Sequence, residues 1–147
     1  MAAGCAVPQK PQGGPRDVAP PKLLKATPAN LTRNFSAKQI QLEFDEYYKL
    51  SNQYQEINIT PVQEKQPEYK IKGKTLVINL NDTLQQETTY VINFGKAITD
   101  VNESNVLNNF TYVFSTGNQI DSLKISGTVT NNTTLLKEKD VTVMLFN

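Results

Sequence analysis

Apolar residues fall on every second position in one run after another, and that period constrains the fold more than anything else in the chain. Ile40, Leu42 and Phe44 alternate with Gln39, Gln41 and Glu43. Leu76, Ile78 and Leu80 alternate with Thr75, Val77 and Asn79, and the pattern returns in Tyr90, Ile92, Phe94 and in Phe110, Tyr112, Phe114. A period of two puts each set on one face of an extended strand, whereas a helical period would scatter it. The breaks are turn chemistry: Pro28, Ser51-Asn52, Pro61, Gly73, Asn81-Asp82 and Gly95.

The pattern predicts strands over 23–28, 39–44, 54–60, a short edge at 67–71, then 75–80, 88–94 and 109–116. Residues 97–105 read as a loop. Six or seven short strands in about 95 residues predict an all-β sandwich with two sheets about 10 Å apart. The expected core is Leu24, Phe35, Ile40, Leu42, Phe44, Ile57, Ile59, Leu76, Ile78, Leu80, Tyr90, Ile92, Phe94, Tyr112 and Phe114. Lys70, Lys72 and Lys74 mark a solvated edge that discourages sheet-to-sheet pairing. Two further strand patterns, 123–130 and 141–146, cannot bury a face by themselves. They are expected to open a second β domain.

Composition narrows the function. The 147 residues carry 15 Lys plus Arg against 14 Asp plus Glu, a net charge of +1. That balance gives no electrostatic footprint for nucleic acid. There is no His, the commonest general base and metal ligand near neutral pH. The single Cys5 excludes an intrachain disulfide, so the core must hold by packing. No cofactor motif is present, and an enzyme is not expected.

The first residues are rich in Pro and Gly, with Pro8, Pro11, Pro15, Pro20 and Pro21 around Gly13-Gly14. Such a segment forms neither a continuous helix nor a central strand. It places Cys5, a residue type usually buried, in a polar tail. Small residues precede it in Ala2-Ala3-Gly4-Cys5. This resembles the end of a bacterial lipoprotein signal, in which the Cys becomes the acylated first residue. Ala2 stands where that signal usually has a larger aliphatic residue. Acylated Cys5 would attach the chain to a membrane, with the proline-rich segment as a spacer.

Longer motifs extend the resemblance over most of residues 5–122. They are Cys5-Ala6, Gly13-Gly14-Pro15-Arg16-Asp17 with Pro20-Pro21, Phe44-Asp45-Glu46-Tyr47 and Thr88-Thr89-Tyr90 with Phe94-Gly95. Ile98-Thr99-Asp100 with Asn102-Glu103, and Phe114-Ser115-Thr116-Gly117, complete the set. Together they resemble the N-terminal Ig-like domain, related to S-layer Ig-like domains, of envelope lipoproteins from Bacteroidota. Ile125-Ser126-Gly127-Thr128-Val129 is similar to the first strand of a transthyretin-like or carboxypeptidase-regulatory-like domain. The resemblance implies a processing site and tether over 1–19, an Ig-like β-sandwich over 20–117, and a linker with the start of a second sandwich over 118–147. It also implies an outer-membrane lipoprotein. The absence of acidic residues from Ala6-Val7-Pro8-Gln9-Lys10, directly after Cys5, favours the periplasmic face over the cell surface.

Asp82-Thr83-Leu84 and Asp121-Ser122-Leu123 resemble the O-glycosylation signal of these bacteria, making Thr83 and Ser122 candidate acceptors. Asp45-Glu46 and Asp100 with Glu103 are the acidic pairs. Asp100, Asn102 and Ser104 have calcium-loop spacing without its Gly and terminal Glu, so they read as turn residues capping their own backbone. No metal site is expected. Tyr47, Tyr48, Tyr54 and Tyr69 are the candidate binding surface. The expected function is a non-catalytic, lipid-anchored module that scaffolds an outer-membrane protein assembly. The alternative is a glycan- or peptide-binding surface built on those tyrosines.

Overall fold

The computed structural model describes residues 14, 16–121, 128–137 and 141. The strands are β1 (Leu23–Thr27), β2 (Gln39–Phe44), β3 (Tyr48–Leu50), β4 (Asn58–Thr60), β5 (Glu68–Lys72), β6 (Thr75–Asn79), β7 (Thr89–Asn93), β8 (Ile98–Asp100) and β9 (Thr111–Ser115). One helical turn, α1 (Gln53–Glu56), precedes β4. Strands β1-β2-β6-β5 form one sheet, β4-β7-β9 a second, and β3-β8 a separate ribbon. Every strand pair is antiparallel.

The alternation dictates the register. In β2 the burial follows the period of two, with Ile40, Leu42 and Phe44 buried and Gln39, Gln41 and Glu43 exposed. Ile40 stands opposite Ile78 and Leu42 opposite Leu76, so the inward faces of β2 and β6 coincide. Tyr90 opposite Phe114 and Ile92 opposite Tyr112 do the same in the second sheet. Both sets belong to one buried cluster between the sheets. Within it the Tyr90 and Phe114 rings stack 5.1 Å apart at 13°, and Phe35 approaches Phe114 at 4.1 Å. Gly73, at φ 61°, makes the expected turn between β5 and β6.

The first strand serves both sheets. β1 pairs with β2, then the chain crosses and Thr32 bridges Phe114 of β9 in parallel. The Leu31 N–H donates to the Val113 carbonyl at 2.7 Å and the Phe35 N–H to the Ser115 carbonyl at 2.9 Å. This crossing carries Phe35 into the core.

Several local expectations are corrected. Residues 54–60 are not one strand: 53–56 form α1 and only 58–60 are extended. Asn52, at φ 49°, starts the turn, and its carbonyl accepts from the Gln55 and Glu56 N–H groups. Residues 53–56 contain one large apolar side chain, Tyr54, and it is exposed, so no core face holds them extended. Residues 98–100, expected in a loop, form β8 against β3. That pairing spans about fifty residues of sequence and leaves no local periodic signal. Leu24 is 65 % exposed rather than buried, because a bulge between Leu23 and Lys25 shifts β1 against β2 and turns Leu23 inward instead. Leu80 is half-buried at the core margin, while Tyr48, Ala97 and Ile98 join the core through the ribbon.

Most of 123–130 and 141–146 lies outside the described residues. Within 128–137, Thr130 bridges Lys137 and the Asn131 N–H donates to the Leu136 carbonyl.

Candidate functional site

Among the described residues, those singled out in the sequence fall in three regions: the end of the sandwich where the chain enters, the opposite end, and the outer edges of the sheets.

At the entry end, residues 16–22 are bonded to the domain before β1 begins. Arg16 donates from Nη2 to the Glu103 carbonyl at 3.2 Å, and Asn105 donates from Nδ2 to the Asp17 carbonyl at 3.1 Å. The Lys22 N–H donates to Asp45 Oδ1 at 2.8 Å, and the Asp45 N–H returns to the Lys22 carbonyl at 3.0 Å. Lys74 Nζ donates to the Asp45 carbonyl at 2.6 Å and sits 5.5 Å over the Tyr47 ring. Lys74 therefore belongs to this end as well as to the lysine-rich edge.

The carboxylates here are structural. Asp100 is buried, and its Oδ1 accepts from the Glu103 N–H at 2.7 Å and the Ser104 N–H at 3.3 Å. Its Oδ2 accepts from the Asn105 N–H at 3.0 Å. Burial pushes its pKa up, but the backbone N–H groups of Asn105, Glu103, Asn102 and Ser104 outweigh that and hold it below the ordinary value. Asp100 thus caps its own turn. Glu46 is displaced upward, first by burial and then by the negative charges of Asp100, Asp45, Asp17 and Glu103. Among the described residues no group of three or more His, Cys, Asp or Glu is arranged to hold a metal ion.

The four tyrosines do not form one strip. Tyr47 and Tyr54 are exposed, at 62 % and 81 %. Tyr48 is buried, with its ring 4.7 Å from Phe44 and its hydroxyl without a hydrogen-bond partner. Burial pushes its pKa up. The expected surface role of Tyr48 is therefore overturned. As neighbours where β3 begins, Tyr47 and Tyr48 face opposite ways, and the ribbon turns Tyr48 inward. Tyr69 lies on β5 opposite Ile78, half-buried, its pKa pushed up to about 12 by burial.

At the opposite end, a cleft of about 480 Å³ lies between the turn before β2 and the segment joining β6 to β7. Thr83 is exposed at its rim. Asp82 Oδ2 accepts from the Glu64 N–H at 2.8 Å, and its Oδ1 from the Thr83 N–H at 2.9 Å. Cys5 and Ser122 lie outside the described residues. One structural device escaped the sequence reading: the Tyr90 hydroxyl accepts from the Gln85 N–H at 2.9 Å. A tyrosine near the start of a strand, bonded to backbone a few residues upstream, pins the corner into the second sheet. Thr88-Thr89-Tyr90 was visible in sequence, but the bond needs the corner's geometry.

With β1, β2, β4, β5, β6, β7 and β9 taken as strands A to G, the sheets read A-B-E-D and C-F-G. That order defines an immunoglobulin-type sandwich of the constant-domain kind. The bacterial Ig-like domain family matches residues 17–116, and the chain belongs to it. No curated protein matches the sequence. Among solved structures, an L,D-transpeptidase from Mycobacterium smegmatis aligns with 12% identity and a TM-score of 0.44. The alignment covers 67% of this chain and 41% of the transpeptidase, so the chain spans about two fifths of that protein. PcoC, a methionine-rich copper resistance protein from Escherichia coli, aligns with 18% identity and a TM-score of 0.44, over 65% of this chain and 97% of PcoC.

Proposed function

We propose that the chain is a non-catalytic, lipid-anchored Ig-like module of a Bacteroidota cell envelope, serving as a scaffold or accessory subunit of an outer-membrane protein assembly. The observation that carries this reading is the path of the chain. Leu23 lies opposite Phe44, at the end of the sandwich where β2 finishes, and residues 16–22 are bonded to that end. β9 starts at the same end, where the Phe110 ring just before it lies 6.4 Å from Phe44, and runs to Ser115 at the other. A domain entered at one pole and left at the other is suited to hold one thing at a set distance from another. In this reading an acyl group on Cys5 supplies the membrane attachment, the proline-rich segment the reach, and the sandwich the contact surface. The periplasmic face is the proposed side, and Thr83, exposed beside Asp82, is a proposed acceptor for O-glycosylation.

The dispersal of the tyrosines supports the assembly reading over a glycan-binding one, since stacking on sugars calls for aromatic faces presented together. Intact mass of the membrane-extracted protein tests the anchor: acyl mass on Cys5 is expected, and lost in Cys5→Ser. Extraction in mild detergent tests the assembly. A stoichiometric envelope partner is expected; a protein that purifies alone and binds on a glycan array sinks the reading.

A further inference from the structure

The two sheets end in edges of opposite character. Strand β5 is guarded: Glu68, Lys70 and Lys72 are all exposed on it, and charged side chains block pairing with another sheet. Among the described residues, strand β4, Asn58-Ile59-Thr60, is one edge of the second sheet and carries no charge.

The outward groups of β4 follow from the ladder of β7. The Phe94 N–H donates to the Phe110 carbonyl and the Thr116 N–H to the Thr88 carbonyl. Even-numbered residues of β7 therefore turn their main-chain groups to β9, and Val91 and Asn93 turn theirs to β4. Their partners there are Thr60 and Asn58. Ile59, between them, directs its N–H and C=O away from the sheet, and so does the Ile57 carbonyl. The Ile57 N–H is already bonded to the Gln53 carbonyl at 3.0 Å.

Two of the most exposed apolar side chains flank this edge, Tyr54 at 81 % and Val62 at 83 %. They stand four residues before and four residues after Asn58. With Ile57, Asn58, Ile59 and Gln66 they line one cleft of about 330 Å³.

We propose that the β4 edge is a self-association surface, on which a second copy of this chain pairs antiparallel about a two-fold axis through Asn58. In that register each Ile59 N–H meets the Ile57 carbonyl of the other copy. Each Tyr54 comes to the end of the edge where the other copy's Val62 stands. A two-fold interface requires such self-complementarity, and the symmetric placement of the two side chains about Asn58 supplies it. The uncharged edge permits it. The strand is short, so the interface falls below the roughly 1,200 Å² of a tight complex and the association is weak and concentration-dependent. The proposal does not depend on the anchor.

Cross-linking tests the register in the full chain carrying Cys5→Ser. Asn58→Cys would face its own copy across a non-hydrogen-bonded pair, at a Cα separation of about 4.5 Å, which a disulfide spans. It is expected to form disulfide dimers at least about tenfold faster than Lys72→Cys on the guarded edge, a difference of about 1.4 kcal/mol in activation free energy. Sedimentation equilibrium up to millimolar protein supplies the second readout, with Cys5→Ser alone expected to show a rising dimer fraction. Tyr54→Lys or Val62→Glu, each on an exposed side chain, should abolish that dimer, and the double variant should restore it by pairing Lys with Glu across the axis. Equal cross-linking rates overturn the proposal. So does a monomer at every concentration, whether or not β4 binds another protein, and so does a dimer that Tyr54→Lys leaves unchanged.

Discussion

Asp100 and Tyr48 show how neighbouring residues of one ribbon place opposite demands on the fold. Asp100 takes a carboxylate out of water and satisfies it with backbone N–H groups. Its pKa is held low in the folded chain, so the unfolded chain binds the proton first as pH falls. The stability it supplies is complete above the unfolded value of about 3.9 and is lost as pH drops through the lower folded value. Melting curves between pH 7 and pH 2 should show this acid limb, and Asp100→Asn should flatten it. Glu46 works the other way. Its raised pKa means that its charge opposes folding at neutral pH, so Glu46→Gln should raise the melting temperature slightly at low salt and less at high salt. Tyr48 buries a hydroxyl with no partner, which ordinarily costs about 1–3 kcal/mol. Tyr48→Phe should therefore leave stability unchanged or raise it by about 1 kcal/mol in urea unfolding. The alkaline limb belongs to Tyr48, Tyr69 and Tyr112, all raised by burial and the last two to about 12. Above about pH 10 the unfolded chain ionises these groups first, so stability should fall from there towards pH 12.

The strands are only as good as the corners that join them. Gly95 follows β7 at φ 50°, and a Cβ there would meet Glu56 Oε2 at 2.6 Å and the Glu56 carbonyl oxygen at 2.9 Å. Glu56 is not free to retreat, since the same Oε2 accepts from the Lys96 N–H at 2.9 Å. Left-handed backbone and the close approach both require glycine. Gly73→Ala, where nothing lies within 4 Å of the added Cβ, is expected to cost about 1–2 kcal/mol from backbone strain alone, and Gly95→Ala more, since the clash with Glu56 adds to the same strain. Paired urea titrations check the order. The bond from Gln85 to the Tyr90 hydroxyl makes the corresponding case for the corner before β7. Tyr90→Phe should cost about 1–2 kcal/mol by stranding that N–H, with the ring still stacked on Phe114.

At the scale of the molecule, one aromatic-rich core holds two sheets together without a disulfide. Phe114 sits at its centre, against Phe35 from the crossing segment, Tyr90 from β7 and Tyr112 from its own strand. Phe114→Ala is expected to cost about 3–5 kcal/mol, a large share of the roughly 5–15 kcal/mol that holds an ordinary domain folded. A melting transition shifted well to lower temperature would show it. Exposed Leu24→Ala, by contrast, should change stability by less than about 0.5 kcal/mol.

The strands of the two main sheets, their inward faces, the Gly73 turn and the all-β class were legible in the residues alone. A period of two, punctuated by Gly, Pro and Asn, is a local signal, and it decides which side of each strand meets the core. The pairing of β3 with β8, the bulge that exchanges Leu23 for Leu24, and the helical turn at 53–56 were decided only by the tertiary structure. The pairing and the bulge depend on partners distant in sequence, the turn closes locally on Asn52 because no core face holds 53–56 extended, and a short strand such as Ile98–Asp100 carries too few residues to show a period. The candidate surface divides in the same way. That Tyr47 and Tyr48 point to opposite sides follows from the chain, but which of them meets the core follows from Ile98–Asp100 pairing with β3. The edge at Asn58 was equally hidden, since only the strand order leaves β4, among the described residues, with one side unpaired.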